Sequence, residues 1–202
     1  MTTTTGFTAK DVQELRQRTG AGMMDCKRAL GETGGDINKA VELLRAKGIA
    51  GAEKRVGRVA SEGLVSSYIH HNGKVGVLVE VNCETDFVAR TDDFKTLVKE
   101  LALQIASAAP VAVDKESVPA ELLEKERRIY EQEVRESGKP EHLFAKIVEG
   151  KIEAFYKQVV LLAQPWIREP KKTIADLVKE ASAKLGENIV VRRFARFQIG
   201  AE

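Results

Sequence analysis

The segment Leu64–Cys83, LVSSYIHHNGKVGVLVEVNC, decides the fold that the sequence predicts. Two runs rich in valine, leucine and tyrosine are separated by the residues HNG, and Asn-Gly is a typical turn of a β-hairpin. In the second run, every other residue from Val75 to Cys83 is apolar, so these side chains share one face of a strand. We therefore predict an antiparallel hairpin, Leu64–His70 and Lys74–Cys83, with one face toward a core.

Three short helices are predicted before this hairpin. The first follows Thr8 and ends at the glycine-containing turn TGAG, the second spans about Met23–Glu32, and the third is capped by Asp36 and ended by Gly48. We predict that they form a compact bundle and place the first domain at residues 1–55. Residues 49–61 carry basic side chains among small ones, and either a solvated linker helix or phosphate binding accounts for them.

The rest of the chain, residues 56–202, is predicted to be an α+β core. A helix capped by Asp92 or Asp93 follows the hairpin, and a last helix, Ile174–Leu185, precedes a closing strand from Asn188 to Ile199. Residues of about 120–163 are predicted to form two helices, which are separated by the residues SGKP. The first of these is strongly charged with a thin apolar stripe, which favours an antiparallel helical hairpin projecting into solvent.

Composition excludes several classes of protein. The chain has 202 residues, a formal net charge of +2 and two cysteines. So small a charge argues against a general nucleic-acid binder, and two cysteines are too few for a disulfide framework. We expect no membrane span, no metal or cofactor and no secretory signal at the N-terminus, hence a protein of a reducing compartment.

An enzyme remains an alternative on sequence grounds. Cys83 could act as a nucleophile with His70 or His71 as its base, but the strand period places the thiol on the apolar face, which favours a buried and inert group. The same holds for Cys26. His70 and His71 lack further ligands at metal-binding spacing.

Two features favour a docking surface. Met23 and Met24 are adjacent, so both cannot face the inside of a small helix, and an exposed methionine is an adaptable contact. Phe87 stands beside Asp86 just after the second strand, where strand periodicity no longer applies. The ring could fill the core or enter a partner's pocket, and the local sequence leaves both open.

Four segments, in this order along the chain, resemble the elongation factor Ts family. They are LRQRTGAGMMDCKRAL (Leu15–Leu30), VLVEVNCETDFVAR (Val77–Arg90), ESGKP (Glu136–Pro140) and KLGENIVVRRF (Lys184–Phe194). The resemblance extends over nearly the whole chain from Thr8. It implies a ubiquitin-associated-like N-terminal bundle, an α+β core, and a nucleotide exchange factor for the GTPase elongation factor Tu, without covalent chemistry, in a bacterial cytoplasm or an organelle.

The resemblance also implies roles for individual residues. Thr85, Asp86, Phe87 and Val88 would dock near the Mg²⁺ site of the GTPase and dislocate the ion, with the ring wedged between helices of the GTPase. The N-terminal contacts would come from Leu15, Arg16, Met23 and Met24. Weaker contacts to a second domain of the GTPase would come from Tyr68 and His70.

Longer relatives repeat the core, whereas this chain has one hairpin half and ends without their C-terminal module. A single half would leave an apolar sheet surface uncovered, so we predict a homodimer that binds two GTPase molecules. Ala195 stands where some short relatives carry a cysteine, so no disulfide dimer is expected. The alternative function is a ubiquitin-associated-like adaptor that binds through its N-terminal bundle, with the TDF segment idle.

Overall fold

The computed structural model describes residues 6–200, except for the side chain of Ile49. Its helices and strands are α1 (Ala9–Thr19), α2 (Met23–Glu32), α3 (Ile37–Glu53), β1 (Glu62–Ile69), β2 (Val75–Cys83), α4 (Asp86–Ala89), α5 (Asp92–Ala108), α6 (Ala120–Glu136), α7 (Phe144–Val159), β3 (Pro165–Trp166), β4 (Glu169–Thr173), α8 (Ile174–Leu185) and β5 (Val190–Gln198). Short 3₁₀ turns precede α7 and follow it. The predicted α+β fold is confirmed.

The first three helices bury a small core of their own. Its residues are Val12, Leu15, Cys26, Ala29, Leu30 and Ala40. Thr8 and Asp11 form a capping box at the start of α1, and Gly20 closes that helix with a left-handed φ of 68°, a conformation that glycine adopts without steric cost. The predicted three-helix arrangement is therefore present, with α2 at the predicted bounds.

The prediction that Gly48 ends the third helix is wrong. α3 runs on to Glu53 because it packs against α8, and the absent side chain of Gly48 permits close approach. A β-carbon built on Gly48 would lie only 3.1 Å from the β-carbon of Ala183. Arg45 and Glu180 form an ion pair of 2.7 Å across the same contact. Tertiary packing thus outweighs the low helix propensity of glycine.

The central sheet has the strand order β1-β2-β5, and both pairings are antiparallel. The predicted core face of β2 is confirmed, since Val77, Val79, Val81 and Cys83 are buried beneath α5 and α8. The N-cap of α5 is Thr91, whose Oγ1 accepts a hydrogen bond from the amide of Phe94 at 3.3 Å. The prediction of Asp92 or Asp93 as the cap is therefore wrong.

The opposite face of the sheet carries an open apolar patch beside the Glu80–Arg193 ion pair. It exposes Val65, Ile69, Leu78 and Phe197, with side chains that remain 49–69% accessible. The register Ser67↔Leu78↔Ala195 places these residues on the face away from α5. Within residues 6–200 these side chains therefore remain uncovered, which is the kind of surface that the sequence predicts for a single core half.

The helices α6 and α7 form the predicted helical hairpin. Val134, Val148 and Ile152 are buried between them, and Arg127 and Glu149 form an ion pair of 2.7 Å along one side. The short β3–β4 hairpin that follows was not predicted. Among residues 6–200, no helix has the length and apolar character required to cross a membrane.

Candidate functional site

Phe87 lies on α4, a single helical turn between the sheet and α5. Its side chain is 75% exposed, whereas Val88 is 6% exposed and Ala89 4%. Successive helical residues are about 100° apart, so a turn that buries Val88 and Ala89 directs Phe87 away from the core. Burying a phenylalanine stabilises a fold by roughly 1.5–3 kcal/mol, and this chain forgoes that gain. The ring is therefore not a core plug.

The turn that carries Phe87 is capped at its start. Thr85 is the N-cap of α4, and its Oγ1 accepts a hydrogen bond from the amide of Val88 at 3.3 Å. Thr91 Oγ1 donates to the carbonyl oxygen of Val88 at 2.7 Å. Asp86 forms an exposed ion pair of 2.8 Å with Arg90. Because Val88 belongs to the core, its side chain holds the turn, whereas Thr85, Asp86 and Phe87 are exposed on it.

A second layer of contacts comes from the loop between α8 and β5. The carboxylate of Glu187 accepts hydrogen bonds from the amides of Glu84 and Thr85 at 3.0 and 3.1 Å, and from Thr85 Oγ1 at 2.6 Å. In return, Glu84 accepts from the amide of Asn188 at 2.7 Å. The start of the Phe87 turn is thus bound to a loop about 100 residues away in sequence.

The N-terminal candidates divide into exposed and buried residues. Met23 is 55% exposed and Met24 73%, and Arg16 is exposed on α1. Both methionines follow Gly22, the N-cap of α2, so they stand together at the start of that helix. Leu15 is fully buried among α1–α3 and belongs to the core that supports this surface.

Lys184 at the end of α8 connects the two exposed surfaces. Its Nζ lies 2.7 Å from Oδ1 of Asp93, in the first turn of α5. Its aliphatic stem lies against the turn before α2, since a β-carbon built on Gly20 would come within 2.9 Å of Lys184 Cε. The turn that precedes the methionines and the helix that follows Phe87 therefore rest on the same side chain.

Tyr68 and His70 lie at the other end of the sheet. Ile69 pairs with Gly76, whereas Cys83, next to the Phe87 turn, pairs with Glu62. Seven strand residues separate these positions, which is roughly 23 Å at ~3.3 Å per residue. The hydroxyl of Tyr68 and Nδ1 of His70 are 3.0 Å apart. The structure does not bring this pair together with Phe87.

The register also separates the cysteine and the histidine that the sequence offered as a catalytic pair. Cys83 and His70 stand at opposite ends of the hairpin, so the histidine cannot act as a base for that thiol. Cys83 is fully buried, and its Sγ donates to the carbonyl oxygen of Thr85 at 3.1 Å. Burial, with a smaller effect of the Glu187 carboxylate, raises the pKa of Cys83 to about 11. Such a thiol is a poor nucleophile at neutral pH.

No metal site emerges from the part of the chain that the structure describes. Within residues 6–200, no group of three or more histidine, cysteine, aspartate or glutamate side chains is placed to hold an ion. The arrangement offers exposed apolar side chains on firm supports, which suits contact with another protein.

Sequence reasoning missed Glu187 and Asn188 as parts of the site. The KLGENI segment that contains them resembles the family, but a carboxylate in a surface loop has no local pattern that reveals which donors it binds. Only the pairing of β5 with β2 brings this loop beside Thr85. The helical nature of α4 was also missed, since four residues show no periodicity.

Comparison with known proteins gives one family. The family model described as "Elongation factor TS" matches residues 8–201. Elongation factor Ts of Coprothermobacter proteolyticus is 60% identical over 194 residues, which cover 96% of this chain and 98% of the relative.

Two further relatives carry the same name. Elongation factor Ts of Thermoanaerobacter sp. (strain X514) is 58% identical over 96% of this chain and 95% of its own length. Elongation factor Ts of Geobacter sulfurreducens is 55% identical over 96% of this chain and 90% of its own length. The match spans the N-terminal bundle, the Phe87 turn and the KLGENI loop together.

Proposed function

The chain belongs to the elongation factor Ts family and is a translation elongation factor, and we propose that it is the guanine nucleotide exchange factor of a bacterial elongation factor Tu. It binds the GDP form of that GTPase in the cytoplasm, promotes GDP release, and stabilises the nucleotide-free GTPase until GTP binds. No direct nucleic-acid contact and no covalent step are part of this function.

The observation that supports this proposal is the exposure of Phe87 on a well-supported turn. The aromatic side chain is 75% exposed, and the buried valine and the capping threonine beside it hold its backbone in place. This arrangement favours a ring that contacts a partner. Buried aromatic anchors supply most of the binding energy of many interfaces. In the complex, the ring inserts between helices of the GTPase near its Mg²⁺ site, and Met23, Met24 and Arg16 contact the same domain.

The expected mechanism is indirect. A GTPase of this class holds GDP through backbone amides of its phosphate loop and through Mg²⁺ bridging phosphate oxygens. Packed elements switch between discrete arrangements, so a helix displaced by an inserted ring no longer supports that coordination. Phe87 need not touch the nucleotide. It weakens GDP binding by stabilising the arrangement of the GTPase in which the Mg²⁺ ligands are misplaced.

Thermodynamic linkage sets the scale of this effect. The factor by which the exchange factor weakens GDP binding equals the factor by which GDP weakens binding of the exchange factor. Each tenfold of that coupling requires ~1.4 kcal/mol of differential contact. One buried aromatic anchor can contribute more than 2 kcal/mol, and only the part gained with the nucleotide-free GTPase alone weakens GDP binding.

We propose in addition that the active form is a homodimer. The open sheet face of Val65, Ile69, Leu78 and Phe197 supports this, because contiguous exposed apolar surface marks interaction sites. A second copy presents the same apolar face, so two copies can cover each other by a twofold axis. Each protomer keeps its own Phe87 turn, which gives a complex of two exchange factors and two GTPases. Tyr68 and His70 are proposed to make weaker contacts with a second domain of the GTPase.

Release of labelled GDP from purified elongation factor Tu tests the function. We expect the parent protein to accelerate release and Phe87→Ala to lose about 10- to 100-fold of that acceleration, because the loss of a hot spot costs ~2 kcal/mol or more. Val111→Ala is the matched control, since Val111 is apolar and 52% exposed but lies beyond α5, away from the turn.

Three results would contradict the proposal or part of it. A parent protein without effect on GDP release would reject the function. A Phe87→Ala protein as active as the parent would reject the mechanism and leave the family assignment intact. If residues 1–55 alone retained all binding to a partner, an adaptor function would replace it.

A further inference from the structure

The carboxylate of Glu187 binds three donors of the segment that precedes Phe87. Oε2 accepts from the backbone amides of Glu84 and Thr85 at 3.0 and 3.1 Å, and Oε1 accepts from Thr85 Oγ1 at 2.6 Å. The side chain is half-buried and Thr85 is exposed, so these hydrogen bonds form at the protein surface. Three donors on two consecutive residues therefore converge on one ionised group.

This arrangement decides what the Thr85 hydroxyl can do. Its proton is directed at Glu187 Oε1, so its lone pairs remain free to accept from the amide of Val88 at 3.3 Å. A hydroxyl that donates to an ionised carboxylate is also a better acceptor, because hydrogen bonds in a chain polarise one another. Glu187 thus orients the N-cap of α4, the turn on which Phe87 stands.

The support itself is tied down from the other side. Ser182 Oγ on α8 donates to the carbonyl oxygen of Glu187 at 2.5 Å. Asn188, 7% exposed, donates through its amide to Glu84 at 2.7 Å and through Nδ2 to the carbonyl oxygen of Arg58 at 2.8 Å. Hydrogen bonds are donated in both directions between the loop and the turn. A displacement of one segment along the other would therefore break bonds of both sets.

From these contacts we infer that Glu187 is a positioning residue for Phe87: its carboxylate holds the capped turn that presents the ring to the partner GTPase. This inference rests on the proposed exchange function. In this role Glu187 acts through the turn that it binds. Its loss leaves the ring exposed but free to tilt, and a misplacement of about 1 Å at a functional group can cost roughly 10²-fold in rate.

The first test compares Glu187→Ala with Glu187→Gln in GDP release. We expect Glu187→Ala to lose about 10- to 100-fold of the acceleration. Glu187→Gln keeps an acceptor for the two amides and should stay within about fivefold of the parent. In a Phe87→Ala background, Glu187→Ala should cause no further loss, because residues that act as a unit are not additive. The control is Glu149→Ala, which removes only an exposed ion pair with Arg127.

The second test needs no partner and asks whether the turn is held. Hydrogen exchange of the amides of Glu84, Thr85 and Val88, followed by NMR, should accelerate about tenfold or more in Glu187→Ala, since hydrogen bonds to a charged acceptor are lost. Glu187→Gln should remain close to the parent. Thr85→Val removes the hydroxyl alone and should accelerate exchange at Val88, which keeps the test informative if Glu187→Ala does not fold.

The outcomes separate the two proposals. Parent-like GDP release by Glu187→Ala, or a loss that adds in full to that of Phe87→Ala, would overturn the positioning role. Unchanged amide exchange in Glu187→Ala would overturn it as well. If the parent itself fails to accelerate GDP release, the exchange function fails, and the amide measurement alone decides whether Glu187 holds the turn.

Discussion

At the scale of single residues, neighbouring side chains of one short segment have opposite environments. Phe87 is exposed and Val88 is buried because a single helical turn sends consecutive residues about 100° apart. Both residues belong to the segment Val77–Arg90 that resembles the family, and the sequence alone does not show that their environments differ. The same division occurs between Leu15, which is in the bundle core, and Met23 and Met24, which are outside it.

The reactivity of Cys83 provides a residue-scale prediction. With a pKa of about 11, the native thiol should react with iodoacetamide at pH 8 about 100-fold more slowly than the same thiol in urea, because only the thiolate attacks. The measurement is the labelling rate of Cys83 by mass spectrometry, native against unfolded. Rapid native labelling would revive the enzyme alternative.

The raised pKa of Cys83 also has a consequence for stability. The folded state favours the neutral thiol, so the unfolded chain loses its proton first as the pH rises. Stability from this group is complete below about pH 9 and is lost progressively toward pH 11. Urea unfolding across that range should show the decline, and Cys83→Ala should reduce it.

At the scale of elements, the central hairpin depends on a close approach at Gly63. Its φ is 147°, and a β-carbon there would lie 2.1 Å from the carbonyl oxygen of Val81 and 2.7 Å from Asn82 Cα. Both contacts are with backbone, which cannot move aside without disturbing the β1–β2 pairing. The hairpin was predictable from the alternation of apolar residues and from the Asn-Gly turn, but the close backbone approach at Gly63 was not.

Substitution of two glycines tests this element. Gly63→Ala should lower the free energy of unfolding by about 2–4 kcal/mol through backbone strain. Gly150→Ala is the matched control: it lies inside α7 with no atom within 4 Å of the added carbon, and should raise stability by ~0.5–1 kcal/mol. Urea unfolding measures both. Equal effects of the two substitutions would show that the backbone around Gly63 adjusts to the added carbon without strain.

At the scale of the whole molecule, the sheet has a covered face and an open one. α5 and α8 cover the valine face of β2, while Phe197 and its neighbours remain exposed on the other. The helical hairpin and the bundle pack elsewhere and do not close this gap. At this scale the open face is therefore the surface proposed for assembly with a second copy.

The dimer is tested by placing a charge on the open face. Phe197→Asp should weaken self-association by more than about 30-fold, because an unpaired charge would be buried in the interface. Ile129→Asp is the control, since Ile129 is 40% exposed on α6, away from the sheet. Light scattering over a dilution series gives the mass. A parent that stays monomeric throughout, or a Phe197→Asp dimer of parent strength, would contradict the proposal.

The sequence by itself determined the kinds and order of the main elements, because periodicity, caps and turn residues are local properties. The hairpin, α2, α8 and the helical hairpin were predictable in this way, and the family followed from contiguous motifs. The tertiary structure alone decided that α3 passes Gly48, that Val88 and Leu15 are buried, and that Glu187 holds the turn of Phe87. The extension of α3 and the role of Glu187 depend on contacts between segments more than 100 residues apart. The burial of Leu15 and Val88 depends on packing between neighbouring elements, and no local pattern carries this information.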